Sequence, residues 1–186
     1  MVLGKIWKFL WNDNSILSWV VNIILAFVIV KFLIFPGLGL ALGTSFPIVA
    51  VVSPSMDHQG DFDTWWTTHG SWYTNQGFTK EQVQSWPLSN GFKKGDIVFL
   101  KGTDTLTLGD VIVFRGNAAN PIIHRIIDIQ TLEGKLLYTT KGDANQAPSQ
   151  QLKEVNILPE NIVGKAMFKI PYLGWIKLVF TEIIGG

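Results

Sequence analysis

Residues 16–35 read ILSWVVNIILAFVIVKFLIF, an apolar run broken only by Ser18, Asn22 and Lys31. At 1.5 Å of rise per residue, about 20 helical residues span roughly 30 Å, the thickness of a bilayer's hydrocarbon core. The run predicts a transmembrane helix over 16–36. Lys31 lies near its end, where its amine can snorkel to the headgroups, and Pro36-Gly37 should stop or kink it. The alternatives are a buried helix of a soluble protein and a cleavable signal peptide. A signal peptide has an apolar stretch of about 7–15 residues and then small residues at the cut. Here the run is longer and bulky residues follow it, which favours a retained anchor. Residues 37–43 (GLGLALG) read as a flexible apolar connector.

Beyond the connector the pattern changes to short β-type runs. Residues 47–52 (PIVAVV) predict a strand that delivers Ser53-Pro54-Ser55-Met56. Strand signals return at 96–101 (DIVFLK), 110–115 (DVIVFR), 122–129 (IIHRIIDI), 136–140 (LLYTT) and 161–170, with Gly-Asp, Gly-Asn and Glu-Gly pairs between them. Regular spacing of this kind predicts a mainly β fold, an antiparallel β domain over 37–175. Residues 57–92 interrupt it with little alternation. This stretch carries Trp65, Trp66, Trp72 and Trp86 and reads as an insertion on the edge of the β-core. Within it, Thr79-Lys-Glu-Gln82 has the form of a capping box and predicts a short helix. Residues 1–15 precede the anchor. Residues 176–186 are too short and too interrupted for a second span, and predict an amphipathic segment at the membrane interface.

Composition narrows the chemistry. Hydrophobic residues make up 47% of the 186 and charged residues 16%, an apolar balance that fits an anchored domain. The net charge of +1 gives no electrostatic case for a nucleic acid partner. The absence of cysteine excludes disulfides, thiolate catalysis and cysteine-ligated zinc. Lys5 and Lys8 precede the span, and after Lys31 no Lys or Arg occurs until Lys80. By the positive-inside rule the N-terminus faces the cytoplasm and the β domain lies outside.

A serine nucleophile needs an exposed hydroxyl, a base and donors for the oxyanion. With three histidines in the chain the choice of base is small. Ser55 follows a strand, and Pro54 holds Ser53 extended. His124 sits inside an apolar run, where a histidine is more often a satisfied core residue than a catalyst. His58 and His69 lie in the polar insertion and read as solvent-exposed loop residues. Asp143, in Lys141-Gly-Asp-Ala-Asn145, has the local form of an ordinary turn aspartate. Asp57, Asp61 and Asp63 with His58 match no specific metal loop, so no metal and no cofactor are expected. The tryptophans could sit among lipid headgroups, contact a substrate or partner, or pack over the β-core.

What lifts Ser55, His124 and Asp143 is their joint order. Ser-x-Ser-Met after an N-terminal anchor, then Gly-Asp-Ile-Val, Gly-Asp-Val-Ile-Val-Phe, His-Arg-Ile and Lys-Gly-Asp-x-Asn resembles the box series of type I signal peptidases. The resemblance runs from residue 16 to about residue 175. With His124 where the bacterial branch has lysine, it is to the archaeal and endoplasmic reticulum branch. It implies a membrane-bound serine endopeptidase with a signal-peptidase-type β domain. Ser55 would be the nucleophile, His124 the general base, and Asp143 the acid that orients or electrostatically supports His124. The Ser53 hydroxyl and the Ser55 N–H would line the oxyanion hole. Implied partners are the signal peptides of preproteins, the lipid bilayer and the secretion translocon. The implied place is an archaeal-type plasma membrane or the endoplasmic reticulum. Two departures stand out. Asp57-His58 replaces the Pro-Thr that often follows Ser-Met. Ser149 stands where many members carry a second acid. Competing readings are a non-catalytic membrane-tethered β domain of a translocation or assembly complex, and a peptidase dedicated to one surface protein.

Overall fold

The computed structural model describes residues 2–102 and 105–174, so the expected interfacial segment at 176–186 lies outside the described residues. The chain divides into two compact units, 1–41 and 42–186. The first is helical. Helix α1 spans Val2–Asn12 and α2 spans Ile16–Ile29. The polar interruptions of α2 have a local explanation. The Ser18 hydroxyl donates to the Phe9 carbonyl at 2.7 Å and the Asn22 amide to the Leu10 carbonyl at 2.9 Å. These are among the last carbonyls of α1, which no further helical turn would satisfy. Ser15 caps α2, accepting the Ser18 N–H.

The helix does not stop at Pro36. A π-helical turn at Val30–Ile34, in which the Phe35 N–H reaches the Val30 carbonyl, leads into α3, Phe35–Leu42. Proline removes one donor and crowds the carbonyl four residues back. The wider turn just before it is a common way to absorb such a break. The expected flexible connector at 37–43 is therefore almost entirely helical. The helical run Ile16–Leu42 is 27 residues long and none of its most apolar stretch is buried within the protein, so by length and composition it can cross a membrane.

The second unit is a six-stranded antiparallel sheet, the mainly β architecture expected. Its strands are β1 Ile48–Ala50, β2 Ile97–Lys101, β3 Val111–Phe114, β4 Ile122–Leu132, β5 Lys135–Lys141 and β6 Ile162–Ile170. Their order is β1-β2-β6-β3-β4-β5. The central β3 is buried on both faces. Val111 and Val113 pack with Met56, Phe92 and Leu100, whereas Ile112 and Phe114 pack with Ile126, Tyr138 and Ile157. The two sets point oppositely because strand side chains alternate. Full burial of each contributes about 1.5–3 kcal/mol. The β4–β5 hairpin closes through Glu133-Gly134, both at positive φ (50° and 77°), as a two-residue turn matching strand twist requires. The Gly-Asp turns before β2 and β3 are structural. Asp96 and Asp110 cap their own turns and pair with Lys169 and Lys165 of β6.

The insertion holds two helices. The capping box at Thr79 starts α5, Lys80–Gln84, with both reciprocal hydrogen bonds present. The longer α4, Phe62–Asn75, was not legible as a helix, because its threonines, Gly70 and aromatics are poor helix formers. Asp61 caps it, and packing supplies the rest. Phe62, Trp65, Tyr73 and Val83 are buried with Ile127 of β4, and Trp66, Trp72, Phe78 and Trp86 pack around them. The tryptophans of the insertion thus form a satellite core.

Candidate active site

Ser55 stands just past β1, in a turn closed by the Asp57 N–H on the Pro54 carbonyl at 2.9 Å. Its own carbonyl accepts the Ala144 N–H at 2.8 Å, which ties the serine to the turn after β5. His124 is on β4, opposite Ile112 of β3, and is buried. Its Nε2 lies 2.9 Å from Ser55 Oγ, within the range for proton transfer. Ser53 Oγ is 3.1 Å from Ser55 Oγ. These atoms open on a cleft of about 400 Å³ lined mostly by small or apolar side chains, among them Ala50, Val52, Ala118, Ala119 and Ile123.

The turn after β5 must be glycine at 142. A Cβ there would stand 2.7 Å from the Ser55 carbonyl oxygen and 2.8 Å from His124 Nε2. Any larger residue would push the Ser55 backbone and the His124 ring apart.

Asp143 does not meet His124. Its carboxylate takes two bonds from Arg125, Nε to Oδ1 at 2.9 Å and Nη2 to Oδ2 at 2.7 Å. His58 Nε2 lies 3.0 Å from Oδ2. The reason is the alternation of β4. His124 and Arg125 are neighbours on one strand and point to opposite faces, and the Asp143 carboxylate is on the Arg125 face. Arg125 is fully engaged, its remaining donors bonding the carbonyls of Pro87, Leu88 and Gly109. Burial alone would push the Asp143 carboxyl up. The Arg125 charge and the hydrogen bonds from His58 and Arg125 outweigh it and hold the group below the usual carboxylate range.

The remaining sequence candidates have structural positions. His58, expected in an exposed loop, is buried, with its ring stacked on Trp65 at 4.2 Å. His69 is half-buried and also stacks on Trp65, with ring centroids 5.8 Å apart. Asp57 and Asp61 accept nearby backbone N–H groups and Asp63 pairs with Lys80. Lys141 is buried over the Trp72 and Tyr73 rings, its Nζ 3.1 Å from the Gly142 carbonyl. Burial pushes its amine down to about 8, against the pull of Asp143. Burial and the Asp143 charge push the Tyr73 hydroxyl up.

Glu154 was not singled out from the sequence. It is wholly buried, and its Oε1 lies 2.7 Å from His124 Nδ1. The approach is close but off the N–H direction, so it is a short polar contact rather than an aligned hydrogen bond, and it becomes an ion pair when the ring is protonated. Ser149, where the resemblance pointed to an acid, donates its backbone N–H to Glu154 Oε2 at 2.5 Å. The available signal was weak: Glu154 is the first acidic residue after Asp143 along the chain.

The chain has relatives among known proteins. The chain is 27% identical over 107 residues to the signal peptidase complex catalytic subunit SEC11C of Homo sapiens, and equally to that of Mus musculus. It is 34% identical over 108 residues to the signal peptidase complex catalytic subunit SEC11 of Lachancea thermotolerans. The chain resembles signal peptidase catalytic subunits. The matched region covers 54% of this chain, and the chain spans 56% of the length of the SEC11C proteins and 64% of SEC11. No protein-family model matches. The resemblance drawn from the box series is thus met by homologues of that name.

Proposed function

We propose that this protein is a membrane-anchored serine endopeptidase that removes signal peptides from exported preproteins. The observation that carries the reading is the 2.9 Å approach of Ser55 Oγ to His124 Nε2 at a cleft of small apolar side chains. His124 takes the Ser55 proton as Oγ attacks the scissile carbonyl. The Ser53 hydroxyl and the Ser55 N–H receive the oxyanion. The imidazolium then protonates the leaving amine as the peptide bond breaks. Water hydrolyses the acyl-enzyme with His124 again as base, which restores the serine. Asp143 acts at one remove. Clamped by Arg125 and His58, it fixes the turn whose next residue, Ala144, holds the Ser55 carbonyl.

Three features support the substrate class. A secretory precursor presents an apolar helix and then an extended stretch with small residues before the cut. Ala50, Ala118 and Ala119 leave room for small side chains. Among the described residues β1 is paired on one side only, to β2, so an extended peptide can add to its free edge. Ser55 also follows the membrane-length helix by only one short strand of chain. In this reading the N-terminus is cytoplasmic and the β domain faces outward, because Lys5 and Lys8 precede the span.

Ser55→Ala in membranes should abolish preprotein cleavage, and His124→Ala should lower it at least about 10³-fold. Cleavage by Ser55→Ala at the wild-type rate would sink the assignment. Protection of the β domain from added protease in intact cells would overturn the orientation.

A further inference from the structure

Two buried carboxylates stand near the Ser55–His124 pair, and only one faces the base. Glu154 Oε1 is 2.7 Å from His124 Nδ1, whereas the Asp143 oxygens are occupied by Arg125 and His58. The Glu154 carboxylate is held on its far side by the Ser149 N–H at Oε2. Its backbone is held twice, its N–H on the Ser149 carbonyl at 3.1 Å and its carbonyl on the Thr140 N–H of β5 at 2.8 Å. The loop from 149 to 154 thus folds back to place a carboxylate behind the imidazole, in the role that an acid at 149 itself would otherwise fill.

We infer that Glu154 is the positioning residue of the base. It keeps the His124 proton on Nδ1, so that the Nε2 lone pair points at Ser55, and it stabilises the imidazolium that forms when His124 takes the Ser55 proton. No proton is transferred to Glu154; the proton passes only between Ser55, His124 Nε2 and the leaving amine. The contact aligns as the ring becomes charged, since catalytic hydrogen bonds tighten on the way to the transition state. The inference rests on the peptidase reading and replaces Asp143 as the acid of that site.

The test uses the full chain in detergent or vesicles with a preprotein substrate. Glu154→Gln should lower kcat on the order of 10³-fold with KM changed less than about threefold, the pattern of a lost transition-state interaction. Glu154→Asp should recover part of that loss. In the Ser55→Ala chain, ¹⁵N shifts of His124 at neutral pH should show the Nδ1–H tautomer. This measurement needs no turnover and does not require Glu154→Gln to fold. A predominant Nε2–H tautomer would overturn the inference. So would a kcat for folded Glu154→Gln within about threefold of wild type while Ser55→Ala is inactive, and that result would leave the peptidase reading standing. Cleavage by Ser55→Ala would instead remove the reading itself.

Discussion

His124 and Arg125 are adjacent on β4, yet each meets a different buried carboxylate on a different face of the sheet. On one face His124 touches Ser55 and Glu154, beside an open cleft. On the other, Arg125 closes on Asp143 with two charge-assisted bonds and spends its other donors on carbonyls of the insertion and a turn. In the proposed peptidase reading the first side moves a proton. The second is built so that no proton moves: the Asp143 carboxyl is held ionised, and the guanidinium stays charged. Burial near the Ser55–His124 pair therefore does not by itself assign a carboxylate to that pair. The neighbour each carboxylate faces decides its work, and one step along a strand changes the neighbour.

The comparison can be broken most forcefully at Asp143. Asp143→Ala leaves the Arg125 charge buried and unpaired, and losing one partner of such a pair costs about 3–5 kcal/mol. A large drop in melting temperature is expected, whereas Glu154→Gln should act mainly on kcat. Equal effects of both changes on kcat, at unchanged melting temperature, would erase the distinction. The same pair sets an acid limit. The folded pKa of Asp143 lies below its ordinary 3.8, so its stabilisation is fully present above that pH. It is lost as pH falls through the depressed folded value. Asp143→Asn should flatten the acid limb of a stability profile.

Gly142 joins the two sides, and its replacement comes next in size. Gly142→Ala places a methyl carbon against the Ser55 carbonyl and His124 Nε2. We expect at least a 10²-fold loss of cleavage from displacement of the reacting pair, with the folded state retained by circular dichroism. Activity within threefold of wild type would show that the turn has slack.

The smallest effect lies at Lys141. Its folded pKa of about 8 is below the 10.5 of the free side chain. The folded state therefore binds fewer protons between these values, and stability rises as pH climbs from 8 to 10.5. Below pH 8 the buried charge is a cost, so Lys141→Met should raise stability at neutral pH by about 1–3 kcal/mol. Denaturant midpoints at pH 7 and pH 10 check this. A loss of stability at pH 7 would show that the contacts of Nζ with Trp72, Tyr73 and the turn carbonyls outweigh desolvation.

Much of this molecule was legible because its signals are local. The apolar run of 16–35 needs no partner to be recognised; its helix runs on past Pro36 into the expected connector, with a π turn just before the proline. All six strands lie within a few residues of their expected bounds, because alternation and turn residues mark them. The capping box at Thr79 is contained in four residues and formed as read. By contrast α4 has no helical propensity to read and owes its form to aromatics meeting Ile127 across the fold.

The sequence by itself determined the long apolar helix, the antiparallel domain, and the order in which a serine and a histidine follow that helix. Periodicity, turn chemistry and residue type are properties of neighbouring positions, so they survive without coordinates. Only the tertiary structure decided which acid stands behind His124. That choice depends on the face to which β4 turns each side chain, and on a loop that returns Glu154 from eleven residues beyond Asp143. Asp143 bears the more suggestive motif, but Arg125 had already claimed it on the opposite face of the strand.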